Sequence, residues 1–234
     1  MTSLTGNSRE QFIKGMFSGV ASNYDRMNQL MTFGQHNRWK RITILKTNLS
    51  SEKCLLLDLG GGTGDLSRKA IEAFPKTISV VTDFSLPMMQ KGQKRTGSQG
   101  LRWLAGDAMN LPYSDEVFDA IVSGFLLRNV VNLPRVIIEQ YRVLKPGGRL
   151  VSLETNPLDE NKLKPFLHFY IHRVIPLLGQ LISRNRSAYN YLANSSEKFM
   201  SSVEIIDHMK AVGLKDIGCY KLNFGTIAIH WGEK

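Results

Sequence analysis

At 234 residues with 42% hydrophobic content, the chain is long enough for one α/β core with an added helical cap and too short for two comfortable domains. Its two cysteines, Cys54 and Cys219, lie in strand-like runs without metal-ligand spacing, as core residues in a reducing compartment do. No leader-type pattern and no apolar stretch of bilayer length occurs, so the expectation is a cytoplasmic chain, neither exported nor integral. The formal charge of +10 admits anionic lipid surfaces, nucleic acid or plain solubility, and charge alone does not choose among them.

Residues 1 to 9 are polar and small and read as a frayed end. Over 10–46 the apolar residues Phe12, Met16, Val20, Met27, Leu30, Met31, Trp39, Ile42 and Leu45 recur at helical spacing, with Gly34 as a break, which predicts two or three cap helices. That Met, Phe and Trp face suits a core and equally a lid over an apolar substrate. The run Leu55-Leu-Leu-Asp-Leu then breaks into Gly60-Gly-Gly-Thr-Gly-Asp65, the pattern of a buried strand turning tightly into a helix. Glycines are wanted there because side chains would hold the backbone away from a ligand and because some turn positions need positive φ.

Beyond the loop, strand and helix alternate. The spacing predicts a helix over 65–74 stopped by Pro75, a strand over 78–82, and a helix over 86–95 with Pro87 tolerated in its first turn. Strands follow over 101–105 and 118–123, then a helix over 133–144, a sharp turn at Lys145-Pro-Gly-Gly148 and a strand over 149–154. This is a doubly wound, Rossmann-like parallel sheet with ligands at the carboxyl ends of its strands, where Asp58, Asp83, Asp107 and Glu154 fall. Over 162–184 a strongly apolar stretch with basic ends, broken by Pro165, Pro176 and Gly179, predicts an interrupted helical insertion. It reads as a dimer face or second cap, or as a shallow membrane contact or the mouth of a lipid-tail channel. His168 and His172 share a helix face there, without a third ligand nearby in sequence, so no metal site is expected. A helix over 201–212 stopped by Gly213, then strands over 217–222 and 226–231, complete seven strands with an antiparallel last one. The expected organisation is a single unit: cap 10–46, cofactor core 53–154, helical insertion 160–200, and a helix with hairpin over 201–234.

The glycine loop fits neither of two common ligands. Counting from Gly60 and Gly62, a dinucleotide fingerprint would need glycine where Asp65 stands, and a phosphate loop would end in Gly-Lys-Ser/Thr rather than Thr-Gly-Asp. Acids near the loop suit a cationic ligand such as S-adenosylmethionine, with Asp58 by the loop and the Asp83 carboxylate for the ribose hydroxyls.

The acidic glycine loop, Asp83, the segment Gly106-Asp-Ala-Met-Asn-Leu-Pro-Tyr-Ser-Asp-Glu-Val-Phe-Asp119 and the turn Leu144-Lys-Pro-Gly-Gly148 together resemble the class I S-adenosylmethionine methyltransferases. Within that class the chain is similar to the quinone-biosynthesis C-methyltransferases. The narrower match lies in Tyr24-Asp-Arg-Met-Asn-Gln-Leu-Met-Thr-Phe-Gly-Gln-His-Asn-Arg-Trp39, in Leu127-Arg-Asn-Val130, and in the tail stretches Ala188-Tyr-Asn-Tyr-Leu-Ala193 and Gly225-Thr-Ile-Ala-Ile-His230. The resemblance implies cofactor contacts from Thr63, Asp83, Asp107 and Ala108 and catalytic roles for Arg128 and Asn129; Asp58, Gly60, Gly62, Phe84 and Ser123 join them as cofactor-binding candidates, and Tyr24 as a further catalytic candidate. The resemblance also implies a prenylated quinol substrate and no metal. Two departures stand out: Gly124, Phe125 and Leu126 occupy places where that family reads Ser-Phe-Gly, and Gly60 replaces a commoner alanine, a change read as harmless.

The implied chemistry is methyl transfer to a ring carbon ortho to a hydroxyl, which makes the reduced quinol the substrate. Developing phenolate charge wants a cation, for which Arg128 is suited, while Asn129 orients the ring and Tyr24 and His36 stand on the lid side. A sheet-capping pair of Arg128 with Glu154 or Asp107 is the structural alternative. Nucleic acid is not the expected partner, because 123–129 lacks the proline-aromatic run of amino-nitrogen methyltransferases. A different small-molecule C- or O-methyltransferase and a non-catalytic cofactor-binding subunit remain open, as do a homodimer, a quinone-synthesis complex and peripheral contact with the inner membrane face.

Overall fold

The structure, a computed structural model, describes Gly15 and residues 24–158, 163–183 and 185–234. Most of the stretch expected to open the helical cap therefore lies outside the described residues, as does the side chain of Tyr24. Two cap helices are seen, α1 (Tyr24–Met31) and α2 (Gln35–Leu45), separated by Gly34 at φ 76, the break expected at that glycine.

Seven strands form one sheet in the order β3-β2-β1-β4-β5-β7-β6. They are β1 (Leu55–Leu59), β2 (Ile78–Asp83), β3 (Arg102–Ala105), β4 (Phe118–Gly124), β5 (Leu144–Thr155), β6 (Lys215–Leu222) and β7 (Ile227–Glu233). β1 through β5 pair in parallel, and β7 runs antiparallel between β5 and β6. The crossovers carry α3 (Asp65–Ala73), α4 (Leu86–Gln93) and α5 (Leu133–Val143), and α9 (Ser202–Ala211) precedes the last two strands.

Strand alternation sorts the core into two layers. Leu57, Leu59, Ile121 and Leu150 pack with Val136 and Ile137 of α5 and Ile205 and Met209 of α9. Their neighbours Leu56, Val122 and Val151 point the other way, onto Trp39 and Ile44 of α2 and Leu66 and Ala70 of α3. Asp58 shares the parity of Leu56, so it faces α3, where the Ser67 amide (2.9 Å) and hydroxyl (2.8 Å) both donate to its Oδ2.

Local chemistry fixes the ends. Ser201 and Glu204 form a reciprocal capping box on α9, and Gly213 at φ 98 follows its end. Asn132 caps α5 by accepting from the Arg135 amide at 3.1 Å.

Two expectations change. The Lys145–Gly148 turn is a bulge inside β5: Leu144 pairs with Phe118 and Arg149 already with Ala120, Gly147 sits at φ 75, and the Gly147 amide donates to the Lys234 carbonyl at 2.8 Å. The insertion is not cut at Pro165 or Gly179, and its irregular turn ends where Pro176 enters the first turn of the next helix. α6 (Lys164–Phe169) runs into a π turn (Tyr170–Val174) and on into α7 (Ile175–Ser183), with α8 (Arg186–Glu197) packed beside it. Pro165 lies in a first turn, where the missing amide hydrogen costs nothing, and Gly179 lies inside α7 because a Cβ there would enter the Tyr189 ring of α8. Met27 and Met31 of α1 close a third apolar cluster with Ile175, Leu178 and Tyr189, and the Tyr170 hydroxyl donates to the Met31 carbonyl at 3.0 Å. Cap and insertion thus form one roof over the carboxyl ends of the strands.

Candidate active site

Beneath this roof lies a cavity of about 290 Å³. Asp58, Gly60, Gly62, Thr63, Asp83 and Phe84 line one side, and Arg128 and Asn129 line another. His36, Tyr170 and Tyr191 stand on the roof side.

The loop after β1 is shaped by glycine. Gly60, Gly62 and Gly64 all have positive φ, and a Cβ on Gly61 would stand 2.7 Å from Val81 Cγ1 and 2.8 Å from Asp58 Cγ. Asp83 closes the loop from the next strand: one oxygen accepts from the Gly62 amide at 2.8 Å and the other from the Ser85 amide at 2.7 Å. Burial pushes its carboxyl above the usual range against those amide hydrogen bonds. Burial likewise pushes Asp58 up to about 6, opposed by Ser67. Asp58 lines the cavity, and its Oδ1 is buried with no hydrogen-bond donor among the described residues. A buried acceptor of this kind wants a donor or a cation from a ligand, so the residues present fit S-adenosylmethionine.

Asp65 does not add to that negative field. Lys40 of α2 reaches it at 2.5 Å, Arg95 at 2.8 Å, and Arg68 also pairs with it, which holds its carboxyl below the usual range led by the Lys40 charge, against burial. The Lys40 contact ties the cap to the first turn of α3.

At the end of β4 the chain turns through Phe125 at φ 58, a left-handed conformation costly for a non-glycine residue, before a 3₁₀ turn (Leu127–Asn129). This turn delivers Arg128 and Asn129. Arg128 is buried, its Nη1 3.8 Å from Glu154 Oε2 and its guanidinium 5.0 Å from the Phe125 ring. Glu154, at the end of β5, is fully buried. Burial pushes its carboxyl up to about 7, with Arg128 and the Leu127 amide, which donates at 2.6 Å, working against the rise. Asn129 donates to the Phe125 carbonyl at 2.9 Å and accepts from the Tyr191 hydroxyl at 3.4 Å, so its amide is oriented from both sides. His36 is held at Nδ1 3.0 Å from the Thr32 hydroxyl, and burial, then Lys40, lowers its pKa, favouring the neutral ring.

Ser123, Asp107 and Ala108 lie apart from the cavity lining. Ser123 donates to Ser152 at 3.1 Å inside the sheet, and Asp107 is exposed, its carboxylate accepting from the Met109 amide at 2.9 Å, with Ala108 beside it. Tyr24 opens α1. The sequence left Tyr191 and the Phe125 carbonyl unnamed as site groups; Tyr191 lies in one of the quoted tail stretches, whereas the carbonyl leaves no trace in residue type. His168 and His172, read as having no third ligand nearby in sequence, are met in space by Glu197 of α8.

Comparisons with known proteins bear on the family. The ubiE/COQ5 methyltransferase family model matches residues 5–234. A protein of Desulfotalea psychrophila named ubiquinone/menaquinone biosynthesis C-methyltransferase UbiE is 41% identical, over 97% of this chain and 94% of that one. A demethylmenaquinone methyltransferase of Lactiplantibacillus plantarum is 36% identical, over 95% of each. The crystal structure of a Thermotoga maritima S-adenosylmethionine-dependent methyltransferase, described as a possible histamine N-methyltransferase, superposes with a TM-score of 0.62 at 20% identity, covering 94% of this chain and 98% of that one, a likeness of fold. A glycine loop with two acids at adjacent strand ends, an Arg-Asn turn after β4 and a family match across almost the full sequence converge: the chain belongs to the ubiE/COQ5 methyltransferase family.

Proposed function

We propose that this chain methylates a ring carbon of a reduced, prenylated quinone precursor, with S-adenosylmethionine as methyl donor. The observation that carries the reading is a single cavity that joins Asp58 and Asp83 to Arg128 and Asn129 under an apolar roof. Family membership and the names of the two relatives, one for ubiquinone and menaquinone biosynthesis and one for demethylmenaquinone, support the same substrate class.

When bound, S-adenosylmethionine supplies an electrophilic methyl group on a sulfonium. The chain's own residues then have three tasks. Asp58, Asp83 and the loop around Gly60–Thr63 hold a cationic nucleoside. The roof excludes water and fixes the acceptor ring, and orientation of this kind is worth several kcal/mol of barrier. Arg128 steadies the negative charge that develops on the quinol oxygen, with Glu154 holding the guanidinium in place and Asn129 presenting its amide to the ring edge. The exposed apolar residues Phe166, Phe169, Leu177 and Leu181, beside the exposed Arg173 and Arg186, support a peripheral membrane contact through which a prenylated substrate reaches the cavity.

The test is methyl incorporation from labelled donor into reduced naphthoquinols and benzoquinols, with the oxidised forms as controls. Label should enter reduced rings only. In the same assay Arg128→Lys should lower turnover by roughly a hundredfold with donor affinity near that of the parent. Donor binding without transfer to any quinol would instead favour a non-catalytic cofactor-binding subunit.

A further inference from the structure

On the outer part of the roof, His168 at the end of α6 and His172 in the π turn present stacked imidazoles, centroids 4.3 Å apart and planes 23° apart. Glu197, the last residue of α8, spans both: Oε2 lies 3.0 Å from His172 Nε2 and Oε1 3.6 Å from His168 Nε2. Among the described residues, this is the group of three His, Cys, Asp or Glu side chains whose ligand atoms all lie within 4.8 Å of one another.

Three physical features go beyond a surface ion pair. Ligand atoms about 2.0–2.1 Å from a tetrahedral Zn²⁺ stand about 3.3 Å from one another; His172 Nε2 lies 3.0 Å from Glu197 Oε2, near that value, and His168 Nε2 lies 3.6 Å from the other oxygen, so a shared ion requires the stacked rings to turn toward one carboxylate oxygen. Glu197 places a carboxylate on the negative end of the α8 dipole, a poor position for an acid unless a cation sits there. Four residues apart, the two histidines share one helix face, and the π turn that starts between them is of a kind that concentrates at functional positions.

We propose that His168, His172 and Glu197 form a site for a divalent transition cation of the Zn²⁺ type, which fastens the α6–π segment to α8. Two imidazoles and one carboxylate suit zinc over magnesium or calcium. His172 and Glu197 also line the cavity, so the coordination position left open by three protein ligands lies on its rim. The site is independent of the methyl-transfer reading.

The test uses the full chain without a histidine tag, stripped with chelator and titrated with Co²⁺, then with Zn²⁺ in competition. A single Co²⁺ should bind with the visible bands of a four-coordinate N/O site, Zn²⁺ should displace it, and the melting temperature should rise with metal. His172→Gln and Glu197→Gln should each weaken binding by at least about tenfold and abolish the metal-dependent rise, while a His208→Gln control leaves both intact. Circular dichroism of the metal-free variants checks the fold, and the Co²⁺ spectrum of the parent protein gives the ligand set without any substitution. Absence of saturable binding, a six-coordinate aqua-like spectrum, or affinity in the two variants equal to that of the parent would overturn the proposal and leave a hydrogen-bonded tie between helices.

Discussion

At position 60 the backbone sits at φ 65, and a Cβ built there would stand 2.7 Å from Leu126 Cδ1. The resembled family reads alanine at the first place and glycine at the second, so the two departures noted in the sequence are one exchange of volume across the pocket floor, and the glycine is not a harmless variation. Gly60→Ala should therefore cost roughly 1 kcal/mol for the left-handed backbone and roughly 1–3 kcal/mol for overpacking. Leu126→Ala should relieve only the second part. A double-mutant cycle by urea unfolding should return a coupling of at least about 1 kcal/mol, and strict additivity would mean that the two side chains do not meet. Single-residue reading could not see this, because the positions lie on different strands' loops.

Glu154 gives a pH signature. Its folded pKa of about 7 exceeds the ordinary value of 4.5, so between those pH values the folded chain holds a proton that the unfolded chain has lost. Its contribution is fully present below about pH 4.5 and is lost as pH rises through about 7, on the order of 3 kcal/mol across that window. Glu154→Gln abolishes this titration and adds a pH-independent offset from the uncompensated Arg128 charge. Asp58, also raised, is present in both proteins and cancels. Unfolding at about pH 5 and about pH 8 should show the parent losing stability relative to Glu154→Gln. A constant gap would mean that Arg128 keeps the carboxylate ionised throughout.

Among elements, the core strands and helices were legible because their signals are local: short, nearly continuous buried runs in β1 and β4, capping at Ser201, stop signals at Pro75 and Gly213. The roof was less legible because its geometry depends on distant partners. The π turn Tyr170–Val174 itself contains neither proline nor glycine, Pro176 follows just after it, and Tyr170 within it reaches Met31, a contact separated by 139 residues. Gly179 carried the opposite ambiguity, reading as a breaker while serving as the flat seat for Tyr189. Gly179→Ala isolates the two effects. Helix propensity alone would stabilise by roughly 1 kcal/mol, whereas overpacking against the ring costs roughly 1–3 kcal/mol. Thermal unfolding should show net destabilisation; a rise in melting temperature would show that α7 and α8 are not packed this closely.

For the molecule as a whole, the formal charge of +10 acquires a direction once the exposed apolar residues of α6 and α7 are seen beside Arg173 and Arg186. No helix among the described residues is long and apolar enough to cross a membrane, so contact would be made from one side. The protein should sediment with vesicles containing phosphatidylglycerol and not with purely zwitterionic ones, and added salt should release it. Replacing Phe166 and Phe169 with serine should weaken retention at every ionic strength. Equal behaviour on both vesicle types would return the charge to a role in solubility. Composition could pose this question but not decide it, because it does not say which face the residues occupy.

The sheet order carries one more consequence, for the way the fold is assembled. β7 follows every other strand in the chain yet lies between β5 and β6, with Arg149 paired to Glu233 across 84 positions. A nascent polypeptide on the ribosome can build the parallel block from β1 to β5, but that block ends in an open edge, and β6 has no neighbour, until residues 227–233 have emerged. The final strand is therefore the keystone of biogenesis, and the interval before it arrives is the chain's window of exposure to aggregation.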